Sequence, residues 1–188
     1  FFLEKSNNNF VKTIEYYNDS EKFLTDISYH MTFISGSIIN TKYVSTVDFD
    51  YYKGTQISQV PLVLNAILGA EQNVLWGGDR LLDISKAFES NGGYNFFQVF
   101  VVNLLGIWNE YRKNEKISRC LFQKLQKRLF SLVFVFVKRL LIHKDLGNFQ
   151  IERGWKILFK YYGNECYFWW TMIKYPFEVI KRKIKKLL

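Results

Sequence analysis

FISGSIINTKYV, residues 33 to 44, is the stretch on which the reading of this chain's fold turns. Phe33, Ile34, Ile38 and Ile39 are strand formers, so the sequence predicts a strand over residues 32 to 40 with Ser35, Gly36 and Ser37 at its middle. A glycine inside a strand marks either a simple bulge or a place where a ligand or a second backbone comes close. Upstream, Ser20 is suited to cap a short helix in which Phe23, Leu24, Ile27 and Met31 recur at helical spacing. Downstream lies DFDYYKGTQISQ (48 to 59), which predicts a turn over Asp48 to Lys53 and a helix capped by Thr55 that runs to about Leu68. Pro61 then implies a kink or a late start for that helix. NVLWGG (73 to 78) reads as a short strand ending at a Gly-Gly turn, with a second strand from Arg80 to Ser85. SNGGYNFFQVFVVN (90 to 103) breaks the chain and opens an apolar helix from about Tyr94 to Tyr111. Short strands alternating with helices define a helix-rich α/β class.

Composition sets the outer bounds. With 48% apolar and 19% aromatic residues, a chain of 188 residues has enough apolar material for a packed core. Cys120, Cys166, His30 and His143 are too few and too scattered for a zinc site or a disulfide framework, which makes a reducing cytoplasm the default location. The opening FFLEKSNNNF has no initiator Met, charged start or cleavage site, as expected of a chain cut within a longer protein, not one processed as a signal peptide.

Charge is unevenly spread. Residues 1 to 110 hold 7 Lys+Arg against 12 Asp+Glu, whereas residues 111 to 188 hold 19 against 5, a net charge of −5 followed by +14. The sequence therefore divides at about residue 110, with a helical basic extension over 111 to 188. Within it, Asn114 is placed to cap a long helix reaching His143, and a further helix spans Ile151 to Tyr162. The apolar run Leu129 to Val137 has nine residues, too short for a bilayer span of about 20.

The extension ends in CYFWWTMIKYPFEVIKRKIKKLL, where Pro176 suits the first turn of a helix with Phe177, Ile180, Ile184 and Leu187 on one stripe. Lys181, Arg182, Lys185 and Lys186 lie off that stripe, and Trp169 and Trp170 precede it. A basic amphipathic helix flanked by Trp and Tyr reads as a segment lying on an anionic membrane surface. The competing class is nucleic acid, which 19 cations with interleaved aromatics could track, but no nucleic-acid motif is present and the cations sit beside long apolar runs. A solvated helix surface, or a non-catalytic helical membrane- or nucleic-acid-binding module, is the remaining alternative.

The order FISGSIINTKYV, DFDYYKGTQISQ, NVLWGG, SNGGYNFFQVFVVN resembles the C-terminal half of a family 2 glycosyltransferase of the O-antigen, abequosyltransferase-like type. That resemblance covers about residues 14 to 110 and implies the second half of a GT-A fold. It implies transfer of a sugar from a nucleotide-sugar donor to a lipid-linked glycan acceptor, in O-antigen, capsule or related glycan assembly, at the inner face of a bacterial cell membrane. It places Ser35 and Gly36 on the acceptor side of the cleft and Gly54, Thr55 and Gln59 among the sugar-binding positions. Many family 2 enzymes carry an acidic pair near Gly54 and Thr55. Here Thr55, Gln56 and Gln59 stand there and none can act as a base, so either the base comes from Asp48, Asp50 or a residue elsewhere, with Asp48 and Asp50 the candidate catalytic carboxylates, or these positions only bind the sugar. The letters Asp-Phe-Asp also match a metal motif, with a turn or helix cap as the other reading. The Mg or Mn ion expected by the resemblance has its ligands in the half that this chain lacks.

Overall fold

A computed structural model describes residues 2–3, 13–33, 36–77, 93–143 and 149–175, and shows a helix-rich α/β protein with one small sheet. Strands β1 (Phe2–Leu3), β2 (Thr13–Tyr17) and β3 (Asn73–Gly77) are ordered β1-β3-β2. β1 runs parallel and β2 antiparallel to β3, with Ile14 opposite Trp76 and Tyr16 opposite Val74. Side chains alternate along β2. Tyr17 faces the core and shares its hydroxyl proton between Glu15 Oε2 (2.8 Å) and Asp26 Oδ2 (3.1 Å), while Tyr16 points outward.

Helix α1 (Ser20–Ile27) buries Phe23, Leu24 and Ile27, as their spacing predicts. Its cap is Asp19 and not Ser20: Asp19 Oδ1 accepts from the Lys22 amide at 3.1 Å. Ser20 is the first helical residue, and its hydroxyl donates to the carbonyl of Ile67 at 3.1 Å, tying α1 to the later helix α3. At the end of α1, Ser28 adopts φ 42° and ψ −122°, and its hydroxyl is buried with no partner among the described residues.

The described residues of the stretch 32 to 40, where a strand was expected, form none. The chain turns through a 3₁₀ segment, Ser28–Thr32, runs on without strand pairing over residues 36–40, and winds into a second 3₁₀ segment, Thr41–Thr46. Ile38, read as a strand former, is 84% exposed. Turns flank the stretch on both sides, where the Thr32 and Thr46 hydroxyls donate back to the carbonyls of Tyr29 and Tyr43. Residues 34 and 35 and the strand expected at Arg80 to Ser85 lie outside the described residues.

Asp48 caps a short helix α2 (Phe49–Tyr52), and a 3₁₀ turn (Lys53–Thr55) follows. Helix α3 (Val60–Gly69) starts late, with Pro61 in its first turn where a missing N–H costs nothing. Thr55 therefore does not cap α3. Its hydroxyl donates to the Tyr52 carbonyl (2.7 Å) and accepts from the Ile57 amide (3.3 Å) in the turn ahead of it.

After β3, a π-helical segment (Gln98–Asn103) runs into helix α4 (Leu104–Lys113). Phe96, Phe97, Val101, Leu104 and Trp108 are all buried on it, and the Trp108 indole N–H reaches Met31 Sδ at 3.4 Å. The apolar residues of α4 form its buried face, and Asn109, Arg112 and Lys113 lie off it. Asn114, expected as the cap of the next helix, closes α4 instead, its amide donating to Glu110 O at 3.0 Å. Ser118 caps α5 (Arg119–His143), accepting from the Leu121 amide at 3.1 Å. Leu121, Leu125, Leu129, Val133 and Val137 of α5 share one core with α1 and α4, so the packing is continuous across residue 110. Helices α6 (Gly154–Tyr162) and α7 (166–175) complete that core through rings of Tyr162, Tyr167 and Phe168 set 5.0, 5.3 and 5.8 Å from Phe130. Among the described residues no helix is long and apolar enough to cross a membrane.

Candidate functional site

The Thr41–Thr46 segment and α2 form one wall of a surface groove, and α3 with the C-terminal end of α4 forms the other. Its narrower part has a cavity volume of about 290 Å³ and is bordered by Asp48, Tyr51, Glu110 and Lys116. A wider hollow of about 520 Å³ adjoins it, sharing Thr46, Asn65 and Lys116. Gly69 opens that end: a Cβ there would lie 2.8 Å from Tyr43 Cε1, so a larger residue would displace the ring.

Sequence and geometry explain each rim residue. Asp48 Oδ1 accepts the amides of Asp50 (3.1 Å) and Tyr51 (3.2 Å), which fixes the carboxylate at the start of α2. Its Oδ2 has no protein partner among the described residues. Glu110 is carried into the groove by the last turns of α4, and Tyr52 donates to its Oε1 at 2.8 Å. Burial, and after it the bond to Glu110, pushes the Tyr52 hydroxyl well above its ordinary pKa, so the phenol stays a donor. Tyr111 is held protonated in the same way, by burial first and then by the nearby Glu110. Its hydroxyl lies 2.7 Å from Asn65 Oδ1 and 3.0 Å from the Pro61 carbonyl. Asn65 in turn donates to the Thr46 carbonyl (3.1 Å) and hydroxyl (3.0 Å), clamping the two walls together. The Lys116 ammonium sits 5.1 Å from the Tyr111 ring centroid, and Tyr51 is 69% exposed beside it.

Of the candidate site residues that the sequence singled out and the structure describes, only Asp48 borders the groove. Asp50 and Gly54 are exposed on α2 and the turn after it, and a Cβ on Gly54 would meet nothing. Thr55 and Gln59 hold the fold: Asn103 Nδ2 donates to the Thr55 carbonyl at 2.8 Å, and Gln59 Nε2 donates to the Thr32 carbonyl at 2.7 Å. The last contact brings the start of α3 beside Thr32, next to Phe33, whose carbonyl accepts from the Gly36 amide at 3.0 Å. Ser35, Lys181, Arg182, Lys185 and Lys186, with the helix expected from Pro176, lie outside the described residues. Trp169 and Trp170 stand exposed on α7.

Asn65, Glu110 and Lys116 were not singled out. A signal was present: Asn65 is the one polar side chain in VPLVLNAILG, and Glu110 follows a run of core residues. Among the described residues, no group of three or more His, Cys, Asp or Glu side chains is placed to hold a metal ion. Asp48 Oδ1 is engaged by the amides of Asp50 and Tyr51, and Asp50 does not border the groove. Comparison with protein-family models, with curated proteins and with solved structures found no match to this chain.

Chemically, the rim offers carboxylate acceptors from Asp48 and Glu110, an ammonium donor from Lys116 and the exposed ring of Tyr51. Such a set suits a polyhydroxylated ligand: paired acceptors and donors match neighbouring hydroxyls, and an aromatic face covers the C–H side of a sugar ring. An acceptor-only carboxylate beside a hydroxyl is also the arrangement a general base needs.

Proposed function

We propose that this chain forms the acceptor side of a glycosyltransferase, with the groove rimmed by Asp48, Glu110 and Lys116 receiving a saccharide. The observation that carries the reading is this clustering of two carboxylates, a lysine and an exposed tyrosine around one open groove, with both walls locked by Asn65. The resemblance in residues 33 to 103 supports the same class, and Asp48 belongs both to that resemblance and to the groove. In this reading the free oxygen of Asp48 contacts the acceptor hydroxyl, and Glu110 orients a neighbouring one. The nucleotide-sugar donor and its Mg or Mn are held by residues outside this chain. The acceptor is a lipid-linked glycan, which places the protein peripherally at the cytoplasmic face of a bacterial membrane.

Isothermal titration with oligosaccharides of rhamnose, galactose and mannose, beside free nucleotide-sugars, tests the assignment. Binding of at least one oligosaccharide, lost in an Asp48→Asn/Glu110→Gln double variant that still folds, supports it. Binding that survives the double variant, or no saccharide binding at all, contradicts it. A second reading, a non-catalytic helical module at the membrane, is favoured by the aromatic and basic surface of α6 and α7, and saccharide binding separates the two.

A further inference from the structure

Helices α6 and α7 carry an exposed aromatic surface that the core does not use. Trp155 and Phe159, four apart on α6, are 44% and 49% exposed, and Trp169, Trp170 and Ile173 on α7 are 47%, 68% and 59% exposed. Three of these rings form a strip, with Trp155 to Phe159 6.4 Å between centroids and Phe159 to Trp169 5.8 Å, and Trp170 and Ile173 stand exposed on the same helix as Trp169. Isolated exposed hydrophobics are ordinary on a protein surface, but five large ones on two adjoining helices are a patch. The Trp169 indole N–H donates to the Gly163 carbonyl at 2.7 Å, so the polar atom of that ring is satisfied inside the protein and the outward part is hydrocarbon.

The rim of the strip is cationic. Arg153, Lys156 and Lys160 are exposed on or beside the same turns of α6. Across the described residues from 111 onward the chain holds 13 Lys+Arg against 3 Asp+Glu, and the sequence continues past α7 into five further cations between 181 and 186. An apolar, Trp-rich strip bordered by lysines is complementary to one kind of surface: an acyl layer beneath anionic headgroups. A protein partner would have to match a flat row of rings with a polar rim, and a nucleic acid would leave the apolar side of Trp169 and Ile173 unpaired.

We propose that the face formed by Trp155, Phe159, Trp169, Trp170 and Ile173 docks this chain on an anionic lipid bilayer, the rings entering the interface and Arg153, Lys156 and Lys160 meeting the headgroups. This specifies the membrane partner of the function proposed above, yet vesicle binding can be present or lost whatever the groove binds. The docking face is built by packed helices rather than by the terminal basic segment alone.

The test uses the full chain with vesicles of phosphatidylcholine alone and of phosphatidylcholine mixed with phosphatidylglycerol. Sedimentation should show binding to the mixed vesicles that weakens with salt, and lipids brominated on the acyl chain should quench the tryptophan fluorescence. A Trp155→Ala/Phe159→Ala/Trp170→Ala variant should lose at least tenfold in partitioning with unchanged circular dichroism, since all three side chains are exposed and none is part of the buried core. A Lys156→Glu/Lys160→Glu variant, which leaves every ring in place, should lose the preference for the anionic vesicles. Unchanged partitioning of the ring variant overturns the proposal. So does wild-type binding to RNA without binding to vesicles, or a wild-type dimer in sedimentation that the ring variant abolishes.

Discussion

Asp48 offers a perturbation in which stability and ligand binding separate. Its Oδ1 satisfies two otherwise open amides of α2, those of Asp50 and Tyr51, and the residue borders the groove. Asn caps a helix about as well as Asp, whereas Ala cannot, and losing such a cap costs about 1 kcal/mol. For a chain of this size that is a fall of about 2–4 °C in melting temperature. Asp48→Ala should therefore melt lower by about that amount and Asp48→Asn should stay within about 0.5 kcal/mol of the wild type. Binding should follow the opposite pattern, because Asn keeps the cap and loses the charge. A hydrogen bond to a charged group is roughly twice as strong as a neutral one, at about 1.5–3 kcal/mol net, so removing the charge should weaken saccharide binding about tenfold. Urea denaturation and titration calorimetry on both variants read the two quantities. An Asp48→Asn protein as unstable as Asp48→Ala, or one with wild-type saccharide affinity, would refute the reasoning.

Three further outcomes follow from the packing. Ser28 pairs a backbone conformation favouring glycine with a buried, partnerless hydroxyl, so Ser28→Gly should stabilise the fold by about 1 kcal/mol or more, seen as a higher urea midpoint. Gly154→Ala would place a Cβ 2.5 Å from Cε2 of the buried Phe97 ring and should cost about 1–3 kcal/mol, again read by urea denaturation. Burial, and secondarily the Arg128 guanidinium, lowers the pKa of His30 below its usual value, so the unfolded chain binds the proton more readily than the folded one. The resulting contribution to stability is complete above about pH 6.5 and is lost as pH falls toward the lowered value. His30→Gln should flatten that part of the urea-midpoint profile between pH 8 and 5.

Helices whose apolar residues recur at regular spacing were legible from the sequence. Phe23, Leu24 and Ile27 lie buried along α1, Leu64 and Ile67 along α3, and the run from Phe96 to Tyr111 is the core helix. The strand at Asn73 was legible as well, because β-formers there end at two glycines. Caps were placed close to their true positions but on the wrong residue: Asp19 competes with Ser20, and Ser118 with Asn114, through side chains of nearly equal capping strength. The strand expected over residues 32 to 40 is absent from the described part of that stretch for a different reason. Its β-branched residues report propensity and not whether a partner strand lies alongside, and turns closed by Thr32 and Thr46 flank it. Among the candidate site residues the groove was legible only at Asp48, because Asn65 and Glu110 reach it through contacts with Thr46 and Tyr52 that lie 19 and 58 residues away in sequence.

The most direct trial of the central claim is a ¹H–¹⁵N correlation spectrum recorded while a rhamnose, galactose or mannose oligosaccharide is titrated into the labelled protein. The groove reading predicts that amide shifts concentrate at Thr46, Asp48, Tyr51, Asn65, Glu110 and Lys116 and disappear in Asp48→Asn/Glu110→Gln. Shifts confined to other surfaces, or a spectrum unmoved by every saccharide, would contradict it.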